Sequence, residues 1–335
     1  MKLFKHRSCF IIMPMAVSGC FISCSAQEPF GTNLLKPEKE IVLPAVKGRI
    51  DHMDINLKAR IVYVAALGNN SLEAVSLTDG KIIHSIHGLD EPQGVGYIPQ
   101  RQEIIVANGG SGDCYFYNAN SFEKVGTLHL SSDADDIRYD SIDKKIYIGY
   151  GSGGIAEIDP IRRQKTTDVK LPEHPEGFQL DKSLKKIFVN VPDANQIDVI
   201  DLKSREVVAK WKTDYNANFP MAIDESRHII FIGYRHPAKL VALDENNGRT
   251  IAATDLIGDA DDLYFDGRSK KIYASGGGGA INVYLFENSA FRQITAVATH
   301  SGARTSLLIP ALNTFILAER ATGNDAAQLN FYKTK

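Results

Sequence analysis

The residues best suited to chemistry in this sequence are aspartates that recur in two nearly identical stretches. The first, DADDIRYDSIDKKIYIGYGSGG, begins at Asp133, and the second, DADDLYFDGRSKKIYASGGGG, begins at Asp259. A carboxylate can bind a metal ion, orient an arginine, accept a proton or hold the backbone of a turn. Asp136 and Asp262 end the two Asp-Ala-Asp-Asp runs and occupy equivalent positions. Their role depends on how the fold places the two copies.

A weaker repeat connects these copies and extends over most of the chain. The apolar segment around Tyr147 has counterparts centred on Tyr63, Ile105, Phe188, Phe231, Tyr273 and Phe315. The successive spacings are 42, 42, 41, 43, 42 and 42 residues. Each unit holds four short segments rich in β-branched and aromatic residues and separated by turn residues. Because four strands per unit of this length are typical of a propeller blade, the sequence predicts an all-β, seven-bladed β-propeller.

The seventh unit is one strand short. It contains RTSLLIP, NTFILAER and QLNFYKTK, after which the chain stops. The segment IVLPAV, residues 41–46, has no partner in its own unit. We therefore expect this N-terminal strand to pair into the last blade and close the ring, which removes an exposed sheet edge.

The N-terminus has the pattern of a secretory signal. Basic residues precede an apolar run from Phe10 to Val17 that is too short to span a bilayer. Val17 to Cys20 resembles a bacterial lipobox, in which Cys20 is lipidated; cleavage after Ala26 is the alternative. The predicted organisation is a signal peptide at 1–26, a polar tether at 27–39 and a single propeller domain at 40–335. The expected location is the bacterial periplasm, or the outer membrane through a lipid anchor.

Composition and cysteine usage exclude several classes of function. The formal net charge is −2 and no Lys/Arg stripe is present, so nucleic acid is not an expected partner. Cys9, Cys20 and Cys24 lie in the leader, and Cys114 alone remains for the domain, so no intradomain disulfide can form. No Cys-x-x-Cys-His motif for covalent haem and no Gly-x-Ser-x-Gly nucleophile motif occurs.

Three strand pairs resemble a known repeat. IYIGYGSGGIAEID, IFVNVPDANQIDVID and VYVAALGNNSLEAVSL are similar to the YVTN β-propeller repeat of YncE-like proteins, and the resemblance runs from about Ile41 to the C-terminus. It implies the propeller fold. It implies no single activity, because related propellers serve as lyases, lactonases, haem oxidoreductases and binding scaffolds.

The repeat also aligns the residues that begin the first strand of each blade. Eleven positions before the repeat centres stand His52, Gly94, Asp136, Gly177, Pro220, Asp262 and Arg304. One position earlier stand Asp51, Gln93, Asp135, Glu176, Phe219, Asp261 and Ala303. His174 precedes this position in blade 4, and the loops after the second strands contribute Asn108, Tyr150, Arg235 and Arg320. In a propeller these positions open on one face around the axis, where ligands usually bind.

This face allows more than one interpretation. Its Asp and His residues can simply hold turns and neighbouring blades. Alternatively, Asp136 and Asp262 bind a divalent cation while His52 and His174 act as bases. The expected ligand-binding residues are Asp51, Asn108, Tyr150, Glu176, Arg235, Arg304 and Arg320, in which the arginines would clamp a carboxylate or phosphate.

Binding without evident catalysis is the leading prediction. A monomer would take a small molecule, or an envelope protein or peptide, on this face. The alternative is a metal-dependent lyase or lactonase, and a lesser alternative is an accessory protein to a redox enzyme. A divalent cation is the cofactor considered.

Overall fold

The computed structural model describes residues 34–335, so the predicted signal peptide, Cys20 and most of the predicted tether lie outside the described residues. Within this range 28 strands form seven antiparallel, four-stranded sheets. The strands of blades 1 to 3 are β2 (Met53–Asn56), β3 (Ile61–Ala66), β4 (Ser71–Ser76), β5 (Lys81–His87), β6 (Pro92–Ile98), β7 (Glu103–Asn108), β8 (Asp113–Asn118), β9 (Lys124–His129), β10 (Ala134–Asp140), β11 (Lys145–Tyr150), β12 (Gly154–Asp159) and β13 (Gln164–Lys170).

The remaining blades repeat this order. Blades 4 to 6 comprise β14 (Phe178–Asp181), β15 (Lys186–Val191), β16 (Gln196–Asp201), β17 (Glu206–Lys212), β18 (Asn216–Asp224), β19 (Ile229–His236), β20 (Ala238–Asp244), β21 (Thr250–Asp255), β22 (Ala260–Asp266), β23 (Lys271–Gly276), β24 (Ala280–Glu287) and β25 (Ala290–Ala298). Blade 7 comprises β26 (Ser306–Ile309), β27 (Thr314–Glu319), β28 (Ala327–Thr334) and β1 (Leu35–Leu43). Short 3₁₀ turns occur at Leu67–Asn69, Pro192–Ala194 and Pro310–Leu312. In this part of the chain no helix has the length and apolarity needed to cross a membrane. The predicted seven-bladed propeller is confirmed.

The hydrophobic core lies between the blades. Ile105 of blade 2 and Ile148 of blade 3 belong to one buried cluster, and comparable clusters join other neighbouring blades. The second strands are almost wholly buried, whereas an outer strand such as β17 alternates exposed and partly buried residues. This gradient follows the sequence, because the second strands are continuous apolar runs and the outer strands alternate. Cys114 is buried in this core as a free thiol.

Ring closure occurs through β1, with bounds that differ from the prediction. β1 pairs antiparallel with β28 from Leu35 opposite Thr334 to Leu43 opposite Ala327. The strand therefore begins inside the segment 27–39 that was expected to be a tether, and it ends before Pro44. The charged residues Lys36 to Glu40 are exposed on this outermost strand. Charged side chains are common on edge strands, and this composition concealed the strand in the sequence.

The closing strand offers a direct test of how much it stabilises the ring. Ile41 is 2% exposed and packs into the core between blades 7 and 1, whereas the adjacent Val42 is 51% exposed. We expect Ile41→Ala to lower the free energy of unfolding by about 2–5 kcal/mol, because it leaves a cavity. Val42→Ala, the matched control, is expected to change it by less than about 1 kcal/mol. Urea unfolding measures both, and equal losses would contradict the observed orientation of β1.

Candidate functional site

The first strands of the blades enclose a cavity of about 500 Å³. Residues from β2, β6, β10, β14, β18, β22 and β26 all line it, so all seven blades contribute. A cavity with this lining is the central channel of the propeller. The end of the channel where these strands begin, lined by Asp51, His52 and Asp135, is called the mouth.

The twin Asp-Ala-Asp-Asp runs form β-bulges at this mouth. The pairing of β10 shifts register between Ala134 and Ile137, and that of β22 shifts between Ala260 and Asp262. A bulge sets two residues against one on the partner strand and re-aims their side chains. As a result, the last two of the three carboxylates in each run line the channel: Asp135, Asp136, Asp261 and Asp262.

The first aspartate of each run has a different, backbone role. Asp133 and Asp259 have φ values of 43° and 53°, in the left-handed region that aspartate tolerates better than most residues. Their carbonyl oxygens accept hydrogen bonds from the backbone N–H groups of Gly151 (3.0 Å) and Gly277 (2.9 Å). Each copy therefore turns the chain into a bulged first strand, and β6 and β18 have comparable register shifts without this motif.

Glycine is required where a neighbouring bulge passes close by. A Cβ atom on Gly94 would lie 2.0 Å from the Asp135 carbonyl oxygen, and one on Gly177 would lie 2.6 Å from that of Phe219. Gly94 and Gly177 are equivalent to His52 in the repeat. The histidine in blade 1 therefore occupies a position that is sterically closed to side chains in blades 2 and 4.

His52 lies between two carboxylates without touching either. Its Nδ1 is 3.7 Å from Asp135 Oδ1, and its Nε2 is 3.7 Å from Asp136 Oδ1. Both distances exceed hydrogen-bond length. Among the described residues, His52 Nδ1, Asp135 Oδ1 and Asp136 Oδ2 are buried atoms with no hydrogen-bond partner. Asp135 and Asp136 are only 8% and 3% exposed, so this arrangement leaves buried polar atoms to be satisfied by a ligand or water.

His174 approaches the same carboxylate from blade 4. Its Nδ1 lies 2.6 Å from the Gly151 carbonyl oxygen and 3.4 Å from Asp133 Oδ2, and its Nε2 lies 3.9 Å from Asp135 Oδ2. Asp135 thus stands between the two predicted bases, His52 and His174.

The charges at the mouth shift the pKa values of both histidines. Burial alone would lower the pKa of His52, but Asp136, Asp135, Asp51 and Asp262 outweigh it and raise the pKa to about 9. The pKa of His174 is also raised to about 9, because burial is outweighed by its interactions with Asp135, the Gly151 carbonyl and Asp133.

Two carboxyl groups at the mouth have raised pKa values, which favours their neutral, protonated form. Burial, followed by the charge of Asp135, raises the pKa of Glu176 to about 8. Burial raises the pKa of Asp262 to about 7, although the charge of His52 opposes the shift. The mouth therefore contains groups that gain or lose protons near neutral pH, as sites of chemistry or ligand exchange commonly do.

The arginines at the mouth are held by acids of the same face. Arg49 Nη2 donates to both oxygens of Asp51 at 2.9 and 3.0 Å. Arg304 pairs with Asp259 through Nη1 at 2.9 Å and with Asp261 through Nε at 3.0 Å. Arg235 also pairs with Asp261 and stacks over Phe219 at 3.7 Å from the ring centre. An anionic ligand would have to compete with these carboxylates for the arginines.

The other predicted site residues lie outside the central channel. Asn108 donates from its amide to the Asp113 carbonyl (2.7 Å) and accepts from the Asp90 N–H (3.1 Å), which braces its loop. The Tyr150 hydroxyl donates to Asp168 at 2.7 Å. Arg320 lines a smaller adjoining cavity of about 110 Å³ together with Arg49 and Arg304.

Sequence reasoning missed a second ring of polar side chains deeper in the channel. Two positions after the aligned set, the channel is lined by Asp54, Arg138, Gln179, Tyr264 and Ser306. Alternation along a strand puts residues i and i+2 on one face, so the signal was present in the register.

Several members of this second ring bind the next blade. Asp54 accepts from the Tyr97 N–H at 2.6 Å, Gln179 donates to the Met221 carbonyl at 2.8 Å and the Tyr264 hydroxyl donates to the Ser306 carbonyl at 2.7 Å. These bonds join adjacent blades around the axis.

Arg49 was also missed, because it precedes the aligned positions.

Fold and site together define the protein as a seven-bladed β-propeller with a polar, ionisable channel mouth. No family model matches the sequence, and no curated protein matches it. Among the solved structures that match is the crystal structure of a mitotic checkpoint complex. Its chain is 15% identical with a TM-score of 0.77, and the match covers 96% of this chain and 99% of that chain. At this identity the similarity shows the propeller fold alone.

Two variants show which aspartate raises the pKa of each histidine. We expect NMR titration of the imidazole signals to give a pKa of about 9 for both His52 and His174. Asp136→Asn should lower the pKa of His52 toward its ordinary value of about 6.5 and have little effect on His174. Asp133→Asn, the matched change in the same motif, should do the reverse.

The same shift makes folding stability depend on pH. The raised pKa of His52 in the folded state stabilises the protein below the unfolded value of about 6.5, and this contribution is lost as pH rises through about 9. Thermal unfolding between these limits should therefore show a steeper pH-dependent loss in the wild type than in Asp136→Asn. Identical slopes, with unchanged imidazole titrations, would contradict the assigned electrostatics.

Proposed function

We propose that this protein is a ligand-binding propeller that takes a small, positively charged ligand at the mouth of its central channel. The observation that carries this proposal is the pair of buried carboxylate oxygens, Asp135 Oδ1 and Asp136 Oδ2, that have no hydrogen-bond partner in the described chain. A buried acceptor without a donor is costly, and a cationic group would satisfy both oxygens.

The charge balance of the mouth favours a cation over an anion. Each of Arg49, Arg235 and Arg304 already contacts a carboxylate, so these arginines offer little free positive charge to an anion, and His52, whose pKa is raised to about 9, would lose its proton when a cation binds beside it. The acceptors on Asp135 and Asp136, by contrast, remain open beside His52. The predicted arginine clamp for a carboxylate or phosphate is therefore less well supported than a cation site.

A divalent metal ion is the simplest ligand of this kind. One ligand atom from each of Asp51, His52 and Asp135 lies within 4.8 Å of the others. Two carboxylates and an imidazole suit Zn²⁺ or Mn²⁺. Binding would require His52 to lose its proton, so affinity should increase with pH.

These ligands differ from the pair predicted from the sequence. Asp136 forms an ion pair with Arg138, and Asp262 accepts a hydrogen bond from the Ser306 N–H of blade 7. Both side chains therefore have structural partners. Asp51 is likewise held by Arg49 through both oxygens, so Asp135, whose Oδ1 is open, is the member of the Asp51, His52 and Asp135 cluster that offers a free carboxylate oxygen.

Metal-assisted lyase or lactonase chemistry is the second candidate function. His174 Nε2 lies 3.9 Å from Asp135 Oδ2, which places a second imidazole beside the proposed metal ligands. A bound metal would polarise a substrate carbonyl, and His174 in its neutral form would accept a proton. Binding without turnover remains the primary proposal.

Calorimetric titration of Zn²⁺, Mn²⁺, Ca²⁺ and Mg²⁺ into the metal-free mature protein tests the cation site. We expect binding of Zn²⁺ or Mn²⁺ that weakens at least about tenfold in Asp135→Asn, because this change removes a charged ligand. Asp133→Asn is the matched control in the same motif and should bind like the wild type. No binding at millimolar metal, or equal binding by Asp135→Asn, would overturn the metal proposal. Turnover of a lactone that disappears in His174→Asn would move the assignment to the second candidate.

We further propose that the protein is an exported, YVTN-like propeller anchored through Cys20. The support is the lipobox-like sequence at 17–20 and the resemblance of the repeats. Intact mass spectrometry of the protein from its native envelope should give a lipid-modified chain that begins at Cys20. A chain that begins at Gln27 without lipid would support ordinary signal cleavage, and an unprocessed chain that retains Met1 would contradict export.

A further inference from the structure

A second cluster of ionisable groups lies on the face opposite the channel mouth, between blades 4 and 5. Asp181 is the last residue of β14, His228 is in the turn between β18 and β19, and Glu245 directly follows β20. One ligand atom of each lies within 4.8 Å of the other two. His228 Nδ1 is 3.0 Å from Glu245 Oε2.

Glu245 departs from the repeat at a buried position. Its backbone N–H donates to the His228 carbonyl at 3.0 Å. The same bond occurs in three other blades, from Leu77 to Arg60, Ala119 to Gln102 and Leu202 to Lys185. Those three equivalents of Glu245 are apolar and pack against the core, whereas Glu245 is a carboxylate with no exposed surface. An ionisable group in place of an apolar one is costly unless something compensates for its burial.

The two buried carboxylates each keep an open oxygen. Asp181 Oδ1 accepts from the Ser183 hydroxyl and the Leu184 N–H, both at 2.7 Å, and Glu245 Oε2 faces His228. Asp181 Oδ2 and Glu245 Oε1 are buried and have no other hydrogen-bond partner in residues 34–335, but the two carboxyl groups can hydrogen-bond to each other through a shared proton. Both side chains are 0% exposed. Two buried carboxyl groups beside an imidazole form a set of ligands that a cation could bind by displacing this proton.

The surroundings do not supply that cation from the protein itself. Lys186 is near enough to favour the charged form of Glu245, but Glu225 and Asp181 oppose it. Asp181 and Glu245 therefore need either a proton shared between them or a bound cation to compensate for their burial.

We propose that Asp181, His228 and Glu245 form a binding site for a first-row divalent cation, best fitted by Zn²⁺, that ties blade 4 to blade 5. Two carboxylates and one imidazole match the ligands that Zn²⁺ accepts, with water completing the coordination. The His228 side chain is 45% exposed, so the site is open to solvent on one side for metal exchange. Because two blades supply the ligands, the bound ion would stabilise the folded ring.

Blade 3 provides a matched control for this site. Asp140 ends β10 as Asp181 ends β14; its Oδ1 accepts from the Ile142 and Asp143 N–H groups, and its Oδ2 also lacks a partner among the described residues. Asp140 belongs to no metal-ligating cluster in the described chain. An effect that is specific to the cluster should therefore be absent from Asp140→Asn.

The experiment is Zn²⁺ titration of the metal-free mature protein, followed by histidine imidazole NMR and by thermal unfolding. In the wild type we expect the His228 signals to shift on zinc binding and the melting temperature to rise. Both effects should be lost in Glu245→Gln and Glu245→Leu, with at least about a tenfold loss of affinity at this site. Both should persist in Asp140→Asn and in Asp135→Asn, which alters only the channel mouth.

Each contrary result has a distinct meaning. If the His228 signals do not respond to millimolar Zn²⁺, or respond equally in Glu245→Gln, the proposal is overturned. If Glu245→Leu also raises the melting temperature of the metal-free protein, with no zinc response in the wild type, the pair merely shares a proton. The His52 signals report the channel mouth separately, so failure of one site does not decide the other.

Discussion

Pairing between β1 and β28 is the constraint on which the channel depends. Without β1, β28 would be an unpaired sheet edge, and the N-terminal segment that leads into blade 1 would not be tied to blade 7. Closure also brings residues from the two ends of the chain together: the Thr305 hydroxyl donates to the Ile50 carbonyl across the junction of blades 7 and 1 at 2.9 Å. Arg49 and Arg304 border a shared small cavity at this junction. Ring closure therefore places Arg49, from the N-terminal side, beside the same cavity as Arg304 of the last repeat.

Many charges can be buried at the mouth because single residues there lie beside more than one residue of opposite charge. Asp261 binds both Arg235 and Arg304, and Asp135 stands between His52 and His174. Such networks contribute little net stability when compared with apolar packing, but removal of one member leaves an uncompensated charge. The exceptions are the open oxygens of Asp135 and Asp136, which the network does not satisfy. Stability alone does not account for them.

The periodic features of the molecule could be predicted from the sequence, and the local ones could not. Spacing of about 42 residues was sufficient for seven blades, ring closure and the face that carries His52. The bulges in β10 and β22 depend on backbone geometry that composition does not reveal, so the sequence did not predict that Asp135 and Asp136 both line the channel. The start of β1 was missed because its exposed lysines and glutamates resemble those of a linker. Tertiary pairing determined the structure at each of these points.

Departures from the repeat are the most informative signals in such a fold. Equivalent positions in a repeat usually accept similar side chains. An ionisable side chain at a buried position that is apolar in other blades therefore costs free energy that the equivalent apolar residues do not. Glu245 replaces apolar residues found in three other blades. The position of His52 is instead variable, with glycine in blades 2 and 4 and aspartate in blades 3 and 6. Since an ordinary packing residue could have filled the position of Glu245, this deviation beside the buried Asp181 carboxylate supports the cation site proposed on the face opposite the mouth.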